Sequence, residues 1–176
     1  MASPKESLNG LDIRRTLERL VCEILERVPQ EDDLALIGIE RRGAELAARI
    51  QGMLAERLGR PCDLGRLDIN LYRDDWTTLD VTPRLNSSRI PFAVDGRPLL
   101  LVDDVLFSGR TVRAALEAIL DYGRPKWVKL LVLVDRGHRE LPIQPDFVGK
   151  IIPTTRDQHV DVHVSELDGR DQVVVS

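Results

Sequence analysis

The chain predicts an α/β fold: a mostly parallel sheet flanked by helices. Three observations carry that expectation. First, LALIGI (34–39), PLLLV (98–102) and WVKLLVLV (127–134) are continuous apolar runs, the pattern of strands buried on both faces. Second, helical repeats separate these runs, as crossover connections between parallel strands require. Third, three runs end in charged residues and a turn, at Glu40-Arg41-Arg42-Gly43, Asp103-Asp104 and Asp135-Arg136-Gly137. Ligands of such sheets bind at the carboxyl ends of the strands.

Taken in order, residues 1–10 read as a loose tail and 11–176 as a single domain. Ile13, Leu17, Leu20, Val21, Ile24, Leu25 and Val28 recur at helical spacing. After the first apolar run, Gly43 opens a second helix, AELAARIQGMLAERL, which ends near Gly59 and Pro61. LGRLDINLY (64–72) reads as a strand. Residues 73–91, RDDWTTLDVTPRLNSSRIP, show no period and contain two prolines, which marks a functional loop or lid. PLLLV follows, then a helix from about Arg110 to Tyr122 and the WVKLLVLV strand. Near the end, VHVSEL and VVV flank Asp168-Gly169, the turn of a C-terminal β-hairpin.

Composition narrows the function. With 176 residues, 43% apolar and 31% charged, the chain can bury a core without disulfides or metal staples. A net charge of −4 weighs against a nucleic-acid binder that uses its whole surface, and leaves room for a local basic patch. Cys22 and Cys62 form no C-x-x-C pair, so neither a zinc site nor a disulfide framework is indicated. No apolar run approaches the roughly 20 residues of a membrane span. MASPKESLNG lacks the apolar core of a secretory signal, so a cytoplasmic protein is expected.

The chemistry concentrates in LLLVDDVLFSGRT, Leu99 to Thr111. Ser108, Gly109, Arg110 and Thr111 sit where a loop becomes a helix. Free N–H groups and the helix dipole attract phosphate there, although a serine at that point also serves simply as a cap. Two adjacent acids at the end of a buried strand cost desolvation and mutual repulsion. Asp103-Asp104 therefore grips a polyol or a metal, and with the phosphate turn it matches ribose 5-phosphate. Neither G-x-x-x-x-G-K-[ST] nor G-x-G-x-x-G occurs, so other nucleotide designs lack their fingerprint.

VDDVLFSGRT resembles the phosphoribosyl pyrophosphate signature of type I phosphoribosyltransferases. GIERRG (38–43), DINLYRDD (68–75), VDDVLFSGRTVRAAL (102–116), GRPKWVKLLVLVDRGHRELPI (123–143) and VGKIIPT (148–154) resemble the PyrR family, bifunctional pyrimidine-operon attenuators and uracil phosphoribosyltransferases. The likeness runs from about residue 11 to 170. It implies the type I phosphoribosyltransferase fold with a small hood, Mg²⁺, and the conversion of uracil and phosphoribosyl pyrophosphate to UMP and pyrophosphate. It also implies binding of pyrimidine-operon leader mRNA, promoted by uridine nucleotides (UMP or UTP), and a homodimer or higher homo-oligomer. A purine-base transferase, or a uracil transferase without RNA regulation, are the alternative readings.

By resemblance, Asp103 and Asp104 hold the ribose hydroxyls directly or through Mg²⁺. Val105, Leu106, Phe107, Ser108, Gly109, Arg110 and Thr111 wrap the 5′-phosphate. Arg41, Arg42 and Gly43 form the pyrophosphate loop, and Arg73 brings the lid to the leaving pyrophosphate. Tyr72, Asp74 and Asp75 join it or anchor the lid. Asp135, Arg136 and the backbone near His159 and Val160 read the base. The basic residues His138, Arg139, Lys150 and Arg156, with Arg136 and His159 beside them, offer a surface for RNA. Glu18, Cys22 and Gln144 depart from the family pattern, which often has Thr and His in the first helix and a basic residue after HRELPI.

Overall fold

The protein is described as a computed structural model covering residues 5–29, 33–74 and 87–176. Its elements are β1 (Lys5–Asn9), α1 (Gly10–Arg27), β2 (Ala35–Ile39), α2 (Arg42–Leu58) and β3 (Asp63–Leu67), then a 3₁₀ turn (Asn70–Tyr72). After these come β4 (Pro98–Leu106), α3 (Arg110–Leu120), β5 (Trp127–Asp135), β6 (Phe147–Ile151), β7 (Val160–His163), α4 (Ser165–Asp168) and β8 (Gln172–Val175). The main sheet has the order β3-β2-β4-β5-β6, and every pairing in it is parallel. A second, antiparallel sheet runs β1-β8-β7.

Alternation along each strand explains the continuous apolar runs. Leu36, Leu100, Val102, Leu131 and Leu133 face one core, shared with α1, α2 and the second sheet. Ala35, Ile37, Leu99, Leu101, Leu130 and Val132 face the other, shared with α3. Successive residues of a strand point to opposite faces, so a strand covered on both sides must be apolar throughout. Within α1, Ile13, Leu17, Leu20, Val21 and Ile24 are the buried stripe, each worth about 1.5–3 kcal/mol when fully covered.

Four expectations need correction. Residues 5–9 are no tail: β1 pairs with β8 and buries Leu8. Asn9 then caps α1 through a reciprocal pair with Asp12 (Asp12 N–H to Asn9 Oδ1, 3.0 Å; Asn9 N–H to Asp12 Oδ2, 3.1 Å). The strand read over 64–72 stops at Leu67 and gives way to the 3₁₀ turn. β4 does not end at Val102 but continues through both acids to Leu106. The C-terminal strands do pair antiparallel, but the connection between them spans residues 164–171 and includes α4, with Gly169 (φ 72°) closing it. Strand β6 carried no period of its own and was not foreseen.

Candidate active site

Because β4 runs four residues beyond the apolar stretch that ends at Val102, it delivers Asp103 and Asp104 to the carboxyl end of the sheet between β2 and β5. Asp103 is only 5% exposed. Its Oδ1 accepts the Asp104 N–H at 2.9 Å, and Asp104 Oδ1 accepts the Val105 N–H at 2.8 Å. Neither carboxylate makes an ion pair among the described residues. Burial, and then the neighbouring Asp104 charge, pushes Asp103 well above the ordinary carboxylate range. Asp104 is also pushed up by burial, with hydrogen bonds and Arg42 pulling the other way. Such a pair is short of positive charge and of hydroxyl donors.

The two acids open on a cleft of about 820 Å³, large enough for a phosphorylated sugar and a base. Its walls are Ile39, Glu40, Arg41, Arg42, Asp68, Ile69, Asn70, Arg73, Ser87, Asp103, Asp104, Val105 and Thr111. Arg41 and Arg42 arrive from the turn after β2, where the Glu40–Arg41 peptide is cis. Arg42 also reaches α4, between β7 and β8, donating from Nε and Nη2 to Asp168 at 3.2 and 2.8 Å. That hydrogen bond raises the Arg42 pKa, and reciprocally holds Asp168 down at about 2.

The phosphate turn is built unevenly. Gly109 adopts φ 92° and caps α3 without a side chain, while Ser108 Oγ accepts the Arg110 N–H at 3.3 Å. Val105 and Thr111 line the cleft, whereas Leu106 is packed in the core. The Phe107 ring lies under the Arg136 guanidinium, 4.1 Å from its carbon to the ring centre. Arg110 turns aside to pair with Asp74 (2.6 Å) and Glu140 (2.9 Å). Together with the Tyr72 hydroxyl on Asp121 and Arg113 Nη2 on the Tyr72 carbonyl (2.7 Å), it fastens the base of the 73–91 loop to α3. The Asp121 bond pushes the Tyr72 phenol up to about 12. Asp75 and most of that loop lie outside the described residues.

A second hollow, about 440 Å³, is lined by Asp135, Arg136, Gly137, His138, Arg139, Gln144, Ile151, Pro153 and Thr154. Arg136 is 5% exposed. It is held by Thr154 Oγ1 (3.2 Å) and the carbonyls of Thr155 and Arg156 (3.0 and 3.4 Å), and burial lowers its pKa. Burial pulls Asp135 upward, but the Arg139 fork (2.9 and 2.6 Å) and the Gly137 N–H win and leave it below its usual value. His159 and Val160 do not line this hollow. The His159 N–H bonds the Ser176 carbonyl (2.8 Å), and Val160 lies opposite Val175.

The basic residues do not form one free patch. His138 Nε2 contacts the Thr154 carbonyl at 2.6 Å, Arg139 is engaged by Asp135, and Lys150 Nζ donates to the Ser7 carbonyl at 3.0 Å. Arg156 is exposed. Glu18 pairs with Arg14 at 3.0 Å, Cys22 Sγ accepts from Arg57, and Gln144 Oε1 accepts from Arg139 at 3.4 Å. Asp68 and Asn70 were not singled out from the sequence, although both stand in the DINLYRDD motif. In the sequence Asp168 stands out only as half of the Asp168-Gly169 turn.

A parallel sheet whose central strand carries two unpaired acids near its carboxyl end, followed by a glycine-opened turn onto a helix, defines the type I phosphoribosyltransferases as the class. Residues 7–167 match the phosphoribosyl transferase domain. The Bifunctional protein PyrR of Pelotomaculum thermopropionicum is 51% identical over 176 residues, covering 99% of this chain and 97% of the relative. That of Thermus aquaticus is 51% identical over 168 residues, covering 96% and 93%. In fold, the hypoxanthine phosphoribosyltransferase of Trypanosoma cruzi superposes with a TM-score of 0.72 over 97% of this chain and 95% of that one, at 18% identity. The chain belongs to the PyrR family. Among the described residues no helix is long and apolar enough to cross a membrane.

Proposed function

We propose that the cleft binds phosphoribosyl pyrophosphate and that the chain transfers its ribose phosphate to uracil, giving UMP and pyrophosphate. The observation that carries this is the buried, unpaired Asp103-Asp104 pair facing a cleft with Arg41, Arg42 and Arg73. The protein is a uracil phosphoribosyltransferase whose second activity is regulatory: with UMP or UTP bound it recognises pyrimidine-operon leader mRNA. We place it in the cytoplasm, as a homodimer or larger assembly, following its family.

Glycosyl transfer of this kind passes through an oxocarbenium-like transition state. No covalent nucleophile is required. The protein has to hold the ribose, neutralise the departing pyrophosphate and exclude water. Asp103 and Asp104 accept hydrogen bonds from the ribose hydroxyls. N–H groups at the start of α3 and the Thr111 hydroxyl hold the 5′-phosphate. Arg41, Arg42 and Arg73 pair with pyrophosphate oxygens. Asp135 and Arg136 receive the base, and His138, Arg139, Lys150 and Arg156 belong to the RNA-facing side.

The donor set fits Mg²⁺. Among the described residues no three His, Cys, Asp or Glu side chains gather into a cage. Two hard carboxylates that burial leaves short of positive charge suit a cation that takes its other oxygens from substrate and water. Bound there, Mg²⁺ supplies charge neutralisation for the pyrophosphate and the acids.

Three experiments test the reading. With phosphoribosyl pyrophosphate and Mg²⁺, uracil should be a substrate at least about a hundredfold more efficient than hypoxanthine, which lacks uracil's second carbonyl beside the N–H and carries a fused second ring. Preference for hypoxanthine would overturn it. The leader of the organism's own pyrimidine operon should bind more tightly than a scrambled RNA, and UMP should increase the difference; equal binding leaves only the enzyme. Thr111→Val should raise KM for phosphoribosyl pyrophosphate about tenfold by removing one charge-assisted donor. An unchanged KM in steady-state assays would make the turn a plain helix cap.

A further inference from the structure

We infer that Asp168 is a positioning residue for Arg42: brought in by α4, in the connection between β7 and β8, it fixes the guanidinium at the pyrophosphate end of the cleft. The inference rests on reading the cleft as a phosphoribosyl pyrophosphate site. Arg42 begins α2 and lines the cleft. Its Nε and Nη2 form a two-pronged contact with Asp168, while Nη1 has no partner among the described residues and remains available to a ligand. Arginine has about 2 kcal/mol of rotamer freedom to lose on binding. A fork made before substrate arrives removes most of that cost.

Asp168 is itself held. Its Oδ2 accepts the Val164 N–H at 2.8 Å, and Gly169 terminates α4 directly after it. With side chains 35% and 17% exposed, the pair is sheltered compared with an ordinary surface ion pair. His163 Nδ1, at 3.8 Å, is the other basic group near the carboxylate. Among the described residues, no carboxylate other than Asp168 accepts a hydrogen bond from Arg42.

The same face of α2 carries a second clasp, seven residues on. Arg49 donates to Glu166 (2.8 and 2.5 Å), Asp171 (3.0 and 2.7 Å) and Ser165 Oγ (3.0 Å). It does not line the cleft. Arg49 therefore supplies the fastening between α2 and the 165–171 connection. The Asp168 contact differs in engaging an arginine that reaches the cleft, so the two clasps separate fastening from positioning.

The test is a double-mutant cycle on the full chain with Asp168→Asn, Arg42→Gln and the pair together, and with Arg49→Gln as the fastening control. Asn keeps the shape of Asp168 and an acceptor for the Val164 N–H. Asp168→Asn should raise KM for phosphoribosyl pyrophosphate by about five- to tenfold with kcat within about twofold, the range of one charge-assisted pair. In the Arg42→Gln background it should add nothing. Arg49→Gln should lower the melting temperature and leave KM alone. Asp168→Glu, which keeps the charge, should restore KM to within about threefold of wild type; if Asp168→Asn does not fold, Asp168→Ser, which also removes the charge, takes its place in the cycle with the same expected rise in KM. An unchanged or lower KM in Asp168→Asn, or effects that add in the double variant, would overturn the inference. Should the wild type make no UMP, the functional reading fails separately. The same cycle read as the Kd for magnesium pyrophosphate by calorimetry still decides the role of Asp168.

Discussion

Asp104→Asn is expected to cut UMP formation at saturating substrate by about a hundredfold or more, the scale of losing a transition-state electrostatic partner, while raising the melting temperature. The two effects have one cause. Burial raises the carboxyl pKa of both acids above the ordinary carboxylate range. A raised folded-state pKa means that the folded chain binds protons more readily than the unfolded one. Protonation therefore favours folding at acid pH, and that advantage disappears as the pH rises through the folded values, so at neutral pH the ionised acids oppose folding. Asparagine removes one charge and still accepts the Val105 N–H. Each kcal/mol of relieved repulsion should appear as about 2–4 °C in a chain of this size. Calorimetry at pH 7 and pH 5 checks the sign, because the gain over wild type should shrink at the lower pH. Phosphoribosyl pyrophosphate with Mg²⁺ should reverse the ranking by stabilising the wild type more. A variant with wild-type turnover, or one that melts several degrees lower, would show these acids to be structural.

That trade-off explains why the acids could be read from the sequence. A strand apolar for four residues and then doubly charged contradicts its own packing, and such local conflicts mark functional sites. The main sheet was legible for a related reason: strands buried on both faces announce themselves by continuous apolar runs. What escaped notice depends on long-range pairing. β1 is a five-residue strand with one buried apolar side chain, Leu8, and exists because β8 pairs with it. β6, FVGKI, buries Phe147 alone completely. The Arg42–Asp168 fork joins residues 126 positions apart, a relation that periodicity cannot report. The basic segment from Arg136 to His159 was legible as charge but not as geometry. Arg136 stacks inside on Phe107, and Arg139 is neutralised by Asp135, while Arg156 stays exposed. Sequence does not say which arginine finds a carboxylate or an aromatic ring once the chain has folded.

Gly43→Ala should damage stability and substrate binding together. A methyl group on Gly43 would sit 2.7 Å from the Val102 carbonyl oxygen and 3.1 Å from the Asp103 Cα, with Asp103 Oδ1 at 3.3 Å. The first two are backbone atoms of β4, which is hydrogen-bonded to β2 on one side and β5 on the other. They cannot yield cheaply, so the start of α2 must move away, taking Arg41 and Arg42 with it. Overpacking of this kind costs about 1–3 kcal/mol. Displacing the pyrophosphate loop by an ångström should raise KM for phosphoribosyl pyrophosphate by about tenfold or more. Gly52→Ala is the control on the same helix. Gly52 is exposed with no atom within 4 Å of the added carbon, so the change should stabilise by about 0.5–1 kcal/mol and leave KM unmoved. Denaturant unfolding and steady-state kinetics on both variants decide the matter. If Gly43→Ala matched wild type in both, the loop would not lie against β4 at all. The Asp104 and Gly43 variants should thus fail differently: one loses chemistry and gains stability, because a charge is removed from a buried site. The other loses both, because the same close approach that carries the helix start onto β4 also sets the arginines opposite the acids.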